Sequence, residues 1–228
     1  MQYPKAVIFD LDDTLYQEEE YVKSGFLHVS RFISEKTSLD KNYVFEQFFL
    51  LFKEDKSDVF KRFLDIHSLR NSQLETQMIH EYRFHLPMLT LARKNIELLE
   101  WLREKGMHIG IITDGRPEGQ RSKIEALLLH KYCDYIIVTD ELGGIEFRKP
   151  NETAFINMLR HFNIKPEESI YVGDNPAKDF VAGNKLGIHT IMLENKESIH
   201  PQVVGDSSFY AKTSIQDLYE LKHILESW

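Results

Sequence analysis

Three aspartates fall within four positions, Asp10, Asp12 and Asp13, directly after the apolar run Ala6 to Phe9. A buried strand that ends in so much negative charge pays in desolvation and in repulsion, and only a cation or a polar task offsets that cost. Two further apolar runs end in similar groups: "GIIT" in Thr113-Asp114-Gly115, and "SIYVG" in Asp174-Asn175-Pro176. A cation joins them at Lys149, in "RKP". Asp10 and Asp174 are hard oxygen donors of the kind that suits Mg²⁺, which takes one or two carboxylates, keeps several waters and binds substrate phosphate. Thr113, the backbone N–H groups of Asp114 and Gly115, and the Lys149 ammonium offer donors and positive charge to a dianionic phosphoryl group.

With a phosphate held there, a carboxylate on the turn after the first strand can attack phosphorus and form an aspartyl-phosphate. That assigns Asp10 as nucleophile. Asp12, two residues along and on the same side of an extended chain, is placed to protonate the leaving oxygen and then to take a proton from the attacking water. A cation beside the first carboxylate and not the second keeps Asp10 ionised while Asp12 carries the proton. Asp13 fits a turn or a helix cap. Each group alone is common in turns and on surfaces; four of the required type at predicted strand ends carry the reading.

Strand ends matter because open α/β sheets bind ligands beyond the carboxyl ends of their strands. From about residue 88 onward the pattern alternates. "RKNIELLEWLREKG" reads as helix, "MHIGIIT" as strand, "PEGQRSKIEALLLH" as helix, "YIIVT" as strand and "NETAFINMLRHF" as helix. "SIYVG", "AKDFVAGNKLG" and "HTIML" continue as strand, helix and strand, and "TSIQDLYELKHILES" reads as a closing helix. Short apolar strands separated by helices predict a doubly wound parallel sheet covered on both faces, an α/β core with Ala6 to Phe9 as a further strand.

Residues 16–87 break the alternation. Val22, Phe26, Val29 and Ile33 mark one helical face, Val44, Phe48 and Leu51 another, and 59–64 and 74–82 also read as helix. Nine of the 15 phenylalanines lie here, enough for a small core of their own. The expected organisation is a core domain of residues 1–15 and 88–228 with an all-helical domain, 16–87, inserted after the first strand.

Composition narrows the partners. Lys and Arg number 28 against 36 Asp and Glu, a net charge of −8 with no basic block, which argues against nucleic acid or an anionic membrane surface. No apolar run reaches the ~18 residues of a membrane span, and the first ten residues read as a folded strand rather than a leader, so a cytoplasmic protein is expected. The single cysteine, Cys133, excludes an internal disulfide and a thiolate zinc cluster and reads as a small core hydrophobe. The ten histidines are scattered without metal-ligand spacing.

These motifs resemble those of the haloacid dehalogenase superfamily, over nearly the whole chain. "DLDDTL" is similar to its first motif, Asp-x-Asp-x-Thr; "IITDG" to the second; Lys149 in "RKP" to the third; and "GDNPAKD" to the fourth, Gly-Asp followed by a second Asp. The resemblance implies Asp10 as nucleophile and Asp12 as general acid/base, with the Asp12 carbonyl also touching Mg²⁺. It implies Thr113 and Lys149 on the phosphate, Asp174 on the metal, Asp179 bracing Lys149 or a metal-bound water, and Thr14 holding the turn. It also implies that the helical insertion is a cap that closes over the active site. Asp12 and the Asp10/Asp174 pair indicate phosphate chemistry, since the dehalogenating members carry no aspartate equivalent to Asp12 and use no magnesium. Asp114 stands where Asn is frequent, and "LTLARKN" replaces a frequent Pro-Gly. The function this implies is a phosphatase of a small phosphorylated metabolite such as a sugar phosphate or nucleotide. A phosphomutase on the same scaffold and a non-catalytic phosphate-binding regulatory protein are the alternatives, and oligomeric state is left open.

Overall fold

In the computed structural model, residues 3–194 and 206–228 are described. Six strands among them, β1 (Ala6–Phe9), β2 (His108–Thr113), β3 (Tyr135–Val138), β4 (Ser169–Gly173), β5 (His189–Leu193) and β6 (Thr213–Ile215), form one sheet in the order β3-β2-β1-β4-β5-β6. Every pairing is parallel. The helices in chain order are α1 (Glu18–Lys36), α2 (Lys41–Glu54), α3 (Val59–Ile66), α4 (Ser72–Phe84), α5 (Arg93–Glu104), α6 (Pro117–Ala126), α7 (Thr153–Phe162), α8 (Asp179–Leu186) and α9 (Leu221–Glu226). None of the described helices is long and apolar enough to cross a membrane.

All four residues of β1 are fully buried, so both faces of the sheet are covered, as the continuous apolar runs of a parallel sheet require. On one face Ala6, Ile8 and Tyr171 pack with Phe155, Met158 and Phe180 from α7 and α8. The strand order reverses between β1 and β4, and Phe9 is level with Ile111 of β2 on one side and Val172 of β4 on the other. Residue 10 therefore leaves the sheet at its switch point, flanked by the tips of β2 and β4, where ligand sites form in such sheets.

Two compact units divide the chain: Met1–Gln17 with Thr90–Trp228, which holds the sheet, and Glu18–Leu89, which is helical. The helical unit has its own core of Val22, Phe26, Val29 and Ile33 from α1, Val44, Phe48 and Leu51 from α2, Val59, Phe63 and Leu64 from α3, and Met78 from α4. Phe48 stands at its centre, with ring centroids 4.7 Å from Phe63 and 5.6 Å from Phe26. The side chains of Asp40 and Asn71 cap α2 and α4, each accepting from two backbone N–H groups.

Two elements differ from expectation. The closing helix does not begin at Thr213: Thr213 and Ile215 extend β5 as the edge strand β6, and Asp217 caps a short turn before α9. β-branched residues at alternate positions won over a helical reading of the same segment. The helix from Pro117 stops at Ala126 rather than near residue 130, because Leu128 turns left-handed at φ 54°. That turn exposes Leu128 and buries Leu129.

Candidate active site

Asp10 follows the last residue of β1, and its backbone N–H donates to the Val172 carbonyl (2.8 Å), so the sheet still holds its main chain while the side chain has passed the strand tip. The turn beyond it closes on the Leu11 carbonyl, which accepts from the N–H groups of Thr14 and Leu15 (3.4 and 3.0 Å), with Asp13 left-handed at φ 54°. Asp is one of the few residues that tolerates that conformation. The Thr14 hydroxyl is buried without a hydrogen-bond partner, so backbone bonds and not that hydroxyl hold the turn.

Asp10, Asp174 and Asp179 are all buried, and one oxygen from each lies within 4.8 Å of the others. Lys149 Nζ is inserted among them, 2.7 Å from Asp10 Oδ1 and 2.8 Å from Asp179 Oδ1, and it also donates to Tyr171 Oη (3.0 Å) and the Ile112 carbonyl (3.3 Å). Asp179 Oδ2 accepts from the Asn175 N–H (2.8 Å). The ion pair at Asp10 is close but not aligned as a hydrogen bond, and Asp10 Oδ1 has no hydrogen-bond donor at all. Three carboxylates meet Lys149 within the cluster, and Lys178 stands at its edge, 4.0 Å from Asp10 Oδ2. Burial, with Asp179 and Asp174 adding to it and Lys149 and Lys178 opposing it, pushes Asp10 up to about 7. Burial works the same way on Asp179, but Lys149, Lys178 and the hydrogen bonds outweigh it and hold that carboxyl below its usual range. Lys149 stays protonated: burial opposes its charge, yet Asp10 and Asp179 carry its pKa well above the ordinary value. A divalent cation fits this set because three buried carboxylates offer oxygens within 4.8 Å of one another and Asp10 Oδ1 accepts no hydrogen bond, and the all-oxygen donors suit a hard ion.

Asp12 is held apart from that cluster. Its Oδ1 lies 2.7 Å from Lys123 Nζ and accepts from Tyr16 Oη (2.5 Å), and its Oδ2 accepts from Gln120 Nε2 (2.9 Å). Burial alone would raise its pKa; Lys123, with the hydrogen bonds from Lys123, Tyr16 and Gln120, wins and lowers it. Thr113 Oγ1 at the tip of β2 is fully buried and accepts from the same Gln120 amide (2.5 Å).

Two expected phosphate donors face elsewhere. The Gly115 N–H is directed at the Asp140 carboxylate, which Arg148 also grips with two bonds of 2.7 Å. Asp114 Oδ1 accepts from Thr139 Oγ1 (2.9 Å) and from the Lys149 N–H (3.0 Å), so Asp114 ties the Lys149 loop to the tip of β2. The Lys149 ammonium, expected on the phosphate, is instead surrounded by the four oxygens named above. Lys178, at the head of α8, is a cation that the motif reading passed over: its Nζ is 3.5 Å from Asp114 Oδ2 and 4.0 Å from Asp10 Oδ2. It stands inside the quoted "GDNPAKD", one residue before Asp179. Gln120 and Lys123 also went unread, although they had a signal. With Ile124 and the C-cap residue Leu127 they fall at i, i+3, i+4 and i+7 along α6 and its end, and all four are buried. A lysine and a glutamine on the inward stripe of a helix need buried partners.

Carboxylates and ammoniums gathered at the switch point of a parallel sheet define the class, an α/β protein with its polar centre at the carboxyl ends of β1, β2 and β4. The chain belongs to the haloacid dehalogenase-like hydrolase family, whose model matches residues 7–193. It is similar to the glyceraldehyde 3-phosphate phosphatase of Methanocaldococcus jannaschii, 28% identical over 228 residues that cover 95% of this chain and 96% of that protein. It is also similar to the ribulose-1,5-bisphosphate 5-phosphatase of Halopiger xanaduensis, 25% identical over 84% of this chain and 85% of that one. Among solved structures, a haloacid dehalogenase-type phosphatase from Thermococcus onnurineus aligns with a TM-score of 0.61 at 26% identity, covering 97% of each chain.

Proposed function

We propose that this chain is a magnesium-dependent phosphatase of small phosphomonoesters, sugar phosphates first, acting through an aspartyl-phosphate on Asp10. The observation that carries it is the separation of two neighbouring carboxylates into different surroundings. Asp10 sits in the acidic, cation-seeking cluster, whereas Asp12, two residues on, sits in a basic and hydrogen-bonding one. Nucleophile and proton carrier need different electrostatics, and this backbone turn supplies both. The relatives named as sugar-phosphate phosphatases support the substrate class.

In this reading an Asp10 oxygen bonds to phosphorus as the ester P–O bond breaks, and the proton on Asp12 passes to the leaving oxygen. Arrival of the substrate dianion is what favours that proton on Asp12, against the pull of Lys123. Water then attacks phosphorus, Asp12 takes its proton, and Asp10 is released with inorganic phosphate. Asp10, Asp174 and the Asp12 carbonyl are the proposed holders of Mg²⁺, which when bound supplies charge neutralisation for the reacting oxygens. Asp179 fixes Lys149, Thr113 offers its hydroxyl to the phosphoryl group, and Lys178 adds a cation beside Asp10. Residues 18–89 take the part of a cap domain, on the strength of their insertion between β1 and α5. A cytoplasmic setting, where such metabolites are found, is part of the proposal.

The test is a phosphate-release screen over sugar phosphates and nucleotides with MgCl₂, repeated with chelator and with Asp10→Asn. Chelator and substitution should each abolish turnover. Substantial activity in Asp10→Asn would remove the covalent mechanism.

A further inference from the structure

We propose that Gln120 and Lys123 of α6 are positioning residues that fix Asp12 so that one oxygen, Oδ2, handles the leaving-group proton, and that Gln120 also turns the Thr113 hydroxyl outward as a donor. The inference rests on the phosphatase reading and concerns residues outside the motifs on which that reading was built.

A carboxylate oxygen has two lone pairs in its plane. On Asp12, Oδ1 uses both, for Lys123 Nζ at 2.7 Å and Tyr16 Oη at 2.5 Å, whereas Oδ2 accepts one bond, from Gln120 Nε2 at 2.9 Å. The remaining lone pair on Oδ2 is where a proton can sit and from which it can leave. Three donors on two oxygens also suppress rotation of the carboxylate, so that site has one direction in space. A general acid acts only when its proton is aimed at the departing oxygen, and misplacement by about 1 Å costs on the order of 100-fold.

Gln120 reaches further. The same Nε2 donates to Thr113 Oγ1 at 2.5 Å. A carboxylate can only accept, so the Asp12 contact identifies this end of the amide as the NH₂ group. Having accepted from that group, Thr113 keeps its single O–H to donate elsewhere, and a phosphoryl oxygen is the acceptor its place at the tip of β2 suits. One buried glutamine thus sets the proton carrier and one phosphate donor together. Gln120 and Lys123 are both buried and lie three residues apart on one face of α6, which makes the pair a rigid part of the scaffold.

The test exploits the leaving group. An alkyl phosphate, glyceraldehyde 3-phosphate in the first instance or the fastest alkyl ester of the screen, needs its leaving oxygen protonated, whereas 2,4-dinitrophenyl phosphate does not. With the Mg²⁺-loaded enzyme, Lys123→Met is expected to lower kcat/KM, which reads only as far as phosphoryl transfer to Asp10 and not the later hydrolysis shared by both esters, by about 100-fold on the alkyl ester, the scale of general acid catalysis, and by less than about 3-fold on the dinitrophenyl ester. Gln120→Leu should show the same difference in kcat/KM between the two esters on top of a loss common to both, because Thr113 loses its orientation. Equal losses on the two esters, or no loss on either, would overturn the inference and leave the phosphatase reading standing. Should Lys123→Met fail to melt cooperatively, Gln120→Leu and Lys123→Gln decide it by the same ratio. A folded wild-type enzyme that cleaves neither ester, or an active Asp10→Asn, would overturn the phosphatase reading and this inference with it.

Discussion

Lys149 Nζ lies 2.7 Å from Asp10 Oδ1 with both side chains withdrawn from solvent, so the cation nearest the proposed nucleophile is part of the protein's interior and not a mobile surface charge. Removing one partner of a buried pair costs roughly 3–5 kcal/mol, because the other charge is left uncompensated. Lys149→Met strands Asp10 and Asp179 together. Urea unfolding should show destabilisation of about that size, with turnover lost. Lys149→Arg should not restore activity, since a planar guanidinium cannot meet Asp10, Asp179, Tyr171 and the Ile112 carbonyl from the same point. A Lys149→Met protein within about 1 kcal/mol of wild type would contradict the buried-pair account.

Gly173 ends β4 immediately before Asp174, and a Cβ there would stand 2.6 Å from Asp179 Oδ2 and 2.7 Å from its Cγ. Asp179 cannot yield, because the Asn175 N–H and Lys149 hold it from two sides. Gly173→Ala should therefore cost about 1–3 kcal/mol of overpacking and weaken Mg²⁺ binding by displacing the acidic cluster. Thermal melts with and without MgCl₂ read both effects. An unchanged melting temperature and metal response would mean that the cluster has more room than its geometry indicates.

How much of this was legible in the sequence follows from what each residue needs. Strand ends carrying Asp10, Thr113 and Asp174 could be read because apolar runs stop at polar residues, and the sheet assembles those three tips side by side. The direction of a side chain could not. The Asp114 side chain and the Gly115 N–H turn inward to brace Thr139, Lys149 and Asp140, contacts made with residues at least 25 positions away in the chain. Gln120 and Lys123 sat in view on a helix stripe otherwise filled by Ile124 and Leu127, but nothing local names Asp12, more than a hundred residues earlier, as their partner. The edge strand β6 is not legible locally, because what makes it a strand is its pairing with β5, a tertiary contact.

A divalent cation held by the acidic cluster would compete with the proton at Asp10. Its pKa in the folded chain, about 7, lies above the ordinary 3.8, so folding takes up a proton between those values. The group then costs nothing below about pH 4, costs progressively more up to about pH 7, and costs a constant amount above it. Asp12 and Asp179, both lowered, act in the opposite sense and lose their contribution as pH falls through the acidic range. A divalent cation relieves the Asp10 cost only where Asp10 would be ionised. The rise in melting temperature on adding MgCl₂ should therefore be larger at pH 8 than at pH 5.5, and Asp10→Asn should flatten that difference. A rise independent of pH in the wild type would place the cation away from Asp10.

Cys133 offers a test that is independent of the acidic cluster. The residue is half-buried rather than part of the core, and desolvation, reinforced by Asp134 and opposed by Arg103, pushes its thiol up to about 12 from an ordinary 9.0. Only thiolate reacts with alkylating agents, so at pH 8 this shift lowers the reactive fraction by about 1,000-fold. In the native protein iodoacetamide labelling of the sole thiol should lag a small-molecule thiol by a factor of that order, and unfolding in guanidinium chloride should abolish the lag. Peptide mass spectrometry against time measures both. Cys133→Ser should leave phosphate release intact, because no contact ties the residue to Asp10, Asp12 or Lys149, and labelling of the folded protein at the rate of a free thiol would contradict the upward shift of its pKa.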